Sequence, residues 1–173
     1  MGNTETAYFA MGCFWGAERL FAGIPGVTQT AVGYMGGSTE NPSYQQVCTD
    51  TTGHTETVRV DFNPEQVGYR QLLKIFFSHH NPTTRNRQGA DIGSQYRSQI
   101  FPTSLTQENE AKGVLLELSL KIQTLYGAEP VTEISTATQL PVFYPAEEYH
   151  QRYLEKNPFG YCSIKDNGLM KCN

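Results

Sequence analysis

Residues 6–26, TAYFAMGCFWGAERLFAGIPG, decide the fold class of this 173-residue chain. The run 6–11 is apolar and short, as a buried strand is, and Gly12 and Cys13 interrupt it. Trp15, Leu20, Phe21 and Ile24 then recur at near-helical spacing until Pro25-Gly26 stops the pattern. The stretch therefore predicts strand, tight turn and helix, with Cys13 at the turn.

Working outward, residues 27–34 read as a second strand ending before Gly36-Gly37. A polar loop from Pro42 to Gly53 follows, with room for one helical turn over 45–48, and then a third strand at Thr55–Phe62. Asn63-Pro64-Glu65 predicts a helix start, Asn as cap and Pro at the first helical position, continuing through Leu72, Leu73, Ile75 and Phe76 to His79. Residues 80–94 are polar and rich in turn formers, and a loop of this length inside a domain is usually functional. A strand over 97–102 precedes a long helix at 106–126, with Thr106 as cap and Gly127 just past its end. A strand at 131–135 and a short helix at 146–156 complete the pattern, and the apolar-poor tail from 157 onward should be mobile. Strands alternating with helices predict an α/β (α+β) domain, a two-layer sandwich in which helices pack on a mixed sheet.

Composition narrows the chemistry. Apolar residues make up 38% of the chain, enough for one sizeable core, and a net charge of −4 gives no basic footprint for nucleic acid or an anionic membrane. No run approaches the length of a membrane span, and the first residues lack a signal-peptide pattern, which predicts a cytoplasmic protein. In that reducing compartment the cysteines at 13, 48, 162 and 172 suit redox chemistry better than structural disulfides. Their spacing to the four histidines fits no zinc pattern, so no metal is expected.

Within Gly12-Cys13-Phe14-Trp15-Gly16, a cysteine at a helix N-terminus faces unpaired N–H groups and the positive end of the macrodipole, which favours thiolate. A small core thiol is the plainer reading, but glycines on both sides leave room for a substrate to approach. In the strand Thr55–Phe62, Glu56 shares parity with Val58, Val60 and Phe62 and so faces the core. A carboxyl in an apolar layer has its pKa raised and can stay protonated at neutral pH, unless it sits at the strand end and reaches solvent. Tyr34 and Tyr96, read alone, are aromatic core residues, Asp91 a turn residue, and Cys48 an inert buried thiol.

The Cys13 run resembles the signature of the A-type methionine sulfoxide reductases. The resemblance continues through Gly33-Tyr34-Met35-Gly36-Gly37, Gly53-His54-Thr55-Glu56, the segment from Gln88 to Ser98, and the segment from Phe143 to Gln151, in the family's order. It implies a single reductase domain over 1–173, with a ferredoxin-like core at about 6–156 and a cysteine-bearing tail beyond it. It further implies reduction of the S epimer of methionine sulfoxide, free or in proteins, by Cys13 as nucleophile and Glu56 as acid. Tyr34 and Tyr96 would hold the sulfoxide oxygen, Asp91 would orient water or the substrate amide, and Phe14 and Trp15 would cage the methyl group. His54, Glu147, Tyr149 and His150 would support the pocket, although Glu147 reads equally well as solvated helix surface. Cys162 matches the first resolving cysteine and Cys172 a second one that presents a disulfide to thioredoxin. Ser163-Ile164-Lys165-Asp166-Asn167 stands where the family is often glycine-rich. A monomer without a cofactor is expected. The competing readings are a thiol peroxidase, which would want a cation beside Cys13, and a non-catalytic redox-sensing or methionine-peptide-binding module.

Overall fold

A computed structural model describes residues 2–171. In chain order the elements are β1 (Glu5–Met11), α1 (Phe14–Ala22), β2 (Val27–Met35), α2 (Tyr44–Cys48), β3 (Thr55–Phe62), α3 (Tyr69–Ser78), β4 (Arg87–Gln88), β5 (Asp91–Ile92), β6 (Ser98–Phe101), α4 (Leu105–Tyr126), β7 (Glu133–Ile134), β8 (Tyr144–Pro145) and α5 (Tyr153–Lys156). β1 and β2 are both antiparallel to β3 and so parallel to each other, with α1 crossing between them. β3 and β6 flank β1 in the same way, with α3 in their connection. These two interlocked βαβ units form the ferredoxin-like core, and β7 and β8 extend it to the order β7-β6-β1-β3-β2-β8. The β6–β7 pair is parallel, which makes the sheet mixed as expected.

Period-2 alternation decides which face each side chain takes. Ala7, Phe9 and Met11 of β1, with Val58 and Val60 of β3, enter the main core under α1 and α3, whereas Ala10, Met35 and Phe101 join Tyr8 and Phe143 on the other face. Phe9 is the hub, stacking on Phe21 at 5.0 Å, Phe76 at 5.4 Å and Tyr69 at 6.1 Å. α4 adds Ala111, Val114, Leu118 and Ile122, a stripe at spacings of three and four residues.

Several local expectations are corrected. α3 begins at Tyr69 after Gly68, because the Asn63 side chain accepts from Glu65 N–H at 2.9 Å and closes a turn in place of a helix cap. Ser104 caps α4, accepting from Gln107 N–H at 3.1 Å, so Thr106 lies inside the helix. The helix expected over 146–156 is broken: Arg152 is left-handed (φ 52) and donates its N–H to Glu18 at 2.6 Å, while the Gln151 side chain pairs with the Val32 backbone. The tail is not free. Leu169 is buried in the main core and the Asn167 side chain bonds Phe77 O and His80 O. Cys172 lies outside the described residues.

Phe9→Ala should cost about 3–5 kcal/mol, the range for deleting a fully buried aromatic ring. Chemical denaturation measures it, and a loss below about 1 kcal/mol would mean that this stack is not the centre of the core.

Candidate active site

The turn after β1 is fixed by Gly12, whose φ of +98° is a left-handed conformation and whose Cβ position would sit 2.8 Å from Gln88 Cγ. It delivers Cys13 as the residue preceding α1, where the free N–H groups of Trp15 and Gly16 point at the sulfur. The third such group, Phe14 N–H, donates to Glu56 Oε1 at 3.1 Å across 42 residues of sequence. Glu56 is 2% exposed and faces inward from β3, as its parity predicted. Burial, partly offset by the Phe14 hydrogen bond, pushes its pKa up to about 8, so at neutral pH it is a protonated acid.

Cys13 departs from expectation. Burial first, then the nearby Glu56, push the thiol up to about 12, and the two N–H donors recover only part of this. In the empty site Cys13 is therefore a thiol, because low-dielectric surroundings outweigh the helix end. Cys13, Phe14, Trp15 and Glu56 line a cavity of about 130 Å³, which Asp91 and Tyr96 close from one side. Burial and the Glu56 charge raise the Tyr96 hydroxyl, which stays protonated, and burial raises the Asp91 carboxyl against the lowering effect of its hydrogen bond from Tyr161.

Two aromatic residues that sequence reasoning passed over also line the cavity, Tyr44 and Tyr161. Tyr44 opens α2 behind a Ser43 capping box, and its hydroxyl donates to the Cys48 sulfur. Tyr161 donates to Asp91 Oδ2 at 3.2 Å. Only their adjacency to quoted motifs could have flagged them, Tyr44 four residues before Cys48 and Tyr161 beside Cys162. Tyr34, in contrast, does not line the cavity. It is fully buried, its ring packs behind Phe14 at 5.8 Å, and its hydroxyl donates to Glu147 Oε1 at 2.9 Å. Glu147 spends its other oxygen on Tyr44 N–H at 2.9 Å, so it ties β2 to α2 and is not solvated helix surface.

His150 is a support for Trp15. Its Nδ1 accepts from the indole N–H at 2.9 Å, and burial lowers its pKa, keeping the ring neutral and that lone pair available. The other face of Trp15 stacks on Tyr153 at 3.8 Å. His54 lies apart from the cavity: Nδ1 accepts from Gly37 N–H at 3.0 Å and Nε2 reaches Thr39 O at 2.6 Å, which pins the loop after β2. Tyr149 is 56% exposed and touches the site only by stacking on His150. Cys48 is exposed, a correction to the buried thiol expected. Cys13, Cys48 and Cys162 are all free thiols, and no cluster of three metal-ligating side chains occurs among the described residues.

The peptide methionine sulfoxide reductase family model matches residues 5–172. The chain belongs to the peptide methionine sulfoxide reductase family. A peptide methionine sulfoxide reductase of Synechocystis is 54% identical over 160 residues, 92% of this chain and 71% of that one. The mitochondrial peptide methionine sulfoxide reductase of Rattus norvegicus is 48% identical over 96% of this chain and 70% of its own. Among solved structures, methionine sulfoxide reductase A of Corynebacterium diphtheriae superposes with a TM-score of 0.85 at 42% identity, covering 92% of this chain and 77% of that chain. Mxr1 from Saccharomyces cerevisiae in reduced form also gives 0.85, at 35% identity over 94% and 92%. The family resemblance and the mixed-sheet, ferredoxin-like architecture read from the sequence are thus borne out.

Two outcomes follow from this geometry. A carboxyl whose pKa rises from 4.5 unfolded to about 8 folded adds stability that is full below about pH 4.5 and is lost as pH climbs through 8. Glu56→Gln keeps an acceptor for Phe14 N–H without the charge, so its melting temperature relative to wild type should rise between pH 5 and pH 8.5. A difference that stays constant with pH would remove Glu56 as the titrating group. Tyr44→Phe should lower kcat about 10-fold or more in a sulfoxide assay, the lower end for a lost transition-state donor, while Tyr34→Phe should stay within a few-fold. The reverse order would restore Tyr34 to the oxygen site.

Proposed function

We propose that this chain is a peptide-methionine (S)-S-oxide reductase that returns oxidised methionine, free or in proteins, to methionine. The observation that carries this reading is one small aromatic-walled cavity holding both a nucleophilic sulfur and a protonated carboxylic acid. A sulfoxide needs both, since its sulfur accepts a nucleophile once its oxygen is protonated. Phe14 and Trp15 cage the methyl group, and Trp15 is held by His150 and Tyr153. Glu56 gives its proton to the oxygen, helped by hydrogen bonds from Tyr44 and Tyr96, and takes the thiol proton as Cys13 attacks sulfur. Oxygen then passes to Cys13 as the substrate's S–O bond and the bond just formed between the two sulfurs both break, and methionine leaves two electrons richer. Cys13 is left as a sulfenic acid, with Glu56 reprotonated. Asp91 orients the substrate amide or water, and its bond to Tyr161 shows that it can hold a donor at the cavity rim.

Cys162 then attacks the sulfenic sulfur, water leaves, and a Cys13–Cys162 disulfide forms. Cys172 takes over this disulfide by exchange and presents it to thioredoxin. The protein acts as one unit in the cytoplasm, with 6–156 as catalytic core and 157–173 as the recycling arm. No helix among the described residues is long and apolar enough to cross a membrane. The peroxidase alternative gains no support, because Arg19, the nearest cation in sequence, lines a neighbouring cleft with Arg152 and Tyr153 and not the Cys13 cavity.

Consumption of NADPH through thioredoxin and its reductase should follow the S epimer, and not the R epimer or hydrogen peroxide. Cys13→Ser should abolish this turnover while leaving the melting temperature within a few degrees of wild type. Turnover with peroxide alone, or residual sulfoxide turnover in the variant, would overturn the assignment.

A further inference from the structure

The tail between Cys162 and Lys171 crosses the helical layer under restraint. Near Cys162, a Cβ on Gly16 would lie 3.0 Å from Cys162 Sγ and 2.6 Å from Ile164 Cγ1, so the absent side chain makes the seat for both residues. Gly16 lies in the first turn of α1, and its N–H points at the Cys13 sulfur. The Cys162 thiol is therefore parked against the same turn of helix that meets the nucleophile. Its upstream side is held by Tyr161 on Asp91.

Downstream, the restraint centres on Asn167. Asn167 Nδ2 donates to Phe77 O at 3.0 Å, His80 O at 3.0 Å and the Tyr126 hydroxyl at 2.9 Å. Its backbone N–H donates to Ser78 O at 2.8 Å, and its Oδ1 accepts from Leu169 N–H at 2.9 Å. Phe77 and Ser78 are in the last turn of α3, where carbonyls have no partner within the helix; the Asn167 side-chain amide satisfies the first from outside and its backbone N–H the second. Leu169 follows into the core.

We propose that Asn167 is a positioning residue for recycling: its anchor on the end of α3 holds the Cys162 arm over Gly16 and so sets the rate at which the Cys13 sulfenic acid is captured. This rests on the reductase reading above. The arm from 162 to 166 is pinned at both ends, by Tyr161 and Asn167, which keeps the effective concentration of the Cys162 thiol high. Without the Asn167 side-chain bonds, only the backbone bond to Ser78 O and the buried Leu169 hold the downstream end, and the arm is looser. The capture step forms the S–S bond, breaks the S–O bond of the sulfenic acid and releases its oxygen as water with the thiol proton. Nothing in the oxygen-transfer step uses Asn167, so the two steps separate experimentally.

The test is a single turnover of the full chain with one equivalent of methionine S-sulfoxide and a dimedone-type sulfenic-acid trap, followed by quenched-flow mass spectrometry. Asn167→Ala should release methionine at the wild-type rate, form the Cys13–Cys162 disulfide about 10-fold more slowly and accumulate trapped Cys13. Leu169→Ala should do the same more weakly, since the Asn167 bonds remain. Asn167→Asp, which keeps the acceptor for Leu169 N–H but loses the donors, should match Asn167→Ala. Disulfide formation at the wild-type rate in both Asn167 variants would overturn the inference. Equal slowing of methionine release and disulfide formation would reduce Asn167 to general stability and also overturn it. A wild-type chain that releases no methionine would instead sink the reductase reading itself.

Discussion

The hydrogen bond from Phe14 N–H to Glu56 joins the first residue of α1 to the third strand, and the site is organised around it. A carboxyl enclosed by an apolar layer is costly as an anion, and one backbone donor is too little compensation to hold the charge. The group therefore keeps its proton. The same enclosure keeps Cys13 a thiol, so the nucleophile and the acid that share the cavity both carry their protons at neutral pH.

Behind the cavity wall, hydrogen bonds between side chains fix the residues that line it. Glu147 accepts from Tyr34 on one oxygen and from the start of α2 on the other, fixing Tyr44 against the cavity. His150 accepts from Trp15 and packs on Phe14 and Tyr44, so one neutral imidazole braces three cavity walls. Two tyrosines of the same chemistry thus have opposite fates. Tyr34 serves the scaffold because its hydroxyl meets a carboxylate behind the wall, whereas Tyr44 lines the cavity with its hydroxyl on the exposed Cys48 sulfur.

The tail continues this economy of small contacts. Gly16, in the first turn of α1, provides the seat for Cys162, and the unpaired carbonyls at the end of α3 provide the hold for Asn167. Both attachments use helix termini, where backbone groups are available without breaking any internal bond. Such contacts are individually modest, and segments held by few buried contacts open locally at low cost.

Signals that act over a few residues were legible without coordinates. Period-2 parity placed Glu56 inward, Gly127 marked the end of α4, and the turn at Gly12 put Cys13 at the head of a helix. The tertiary structure decided whatever depends on contacts between distant segments. Tyr44 and Tyr161 face the cavity because α2 and the tail fold over it, and the helix expected through 152 breaks because Glu18, 134 residues away, captures Arg152 N–H. The charge state of Cys13 belongs to the same class: the helix end favours a thiolate, but burial, joined by the carboxyls of Glu56 from β3 and Asp91 from β5, outweighs it. Local propensity is encoded residue by residue, whereas dielectric surroundings and hydrogen-bond partners exist only once the chain has closed on itself.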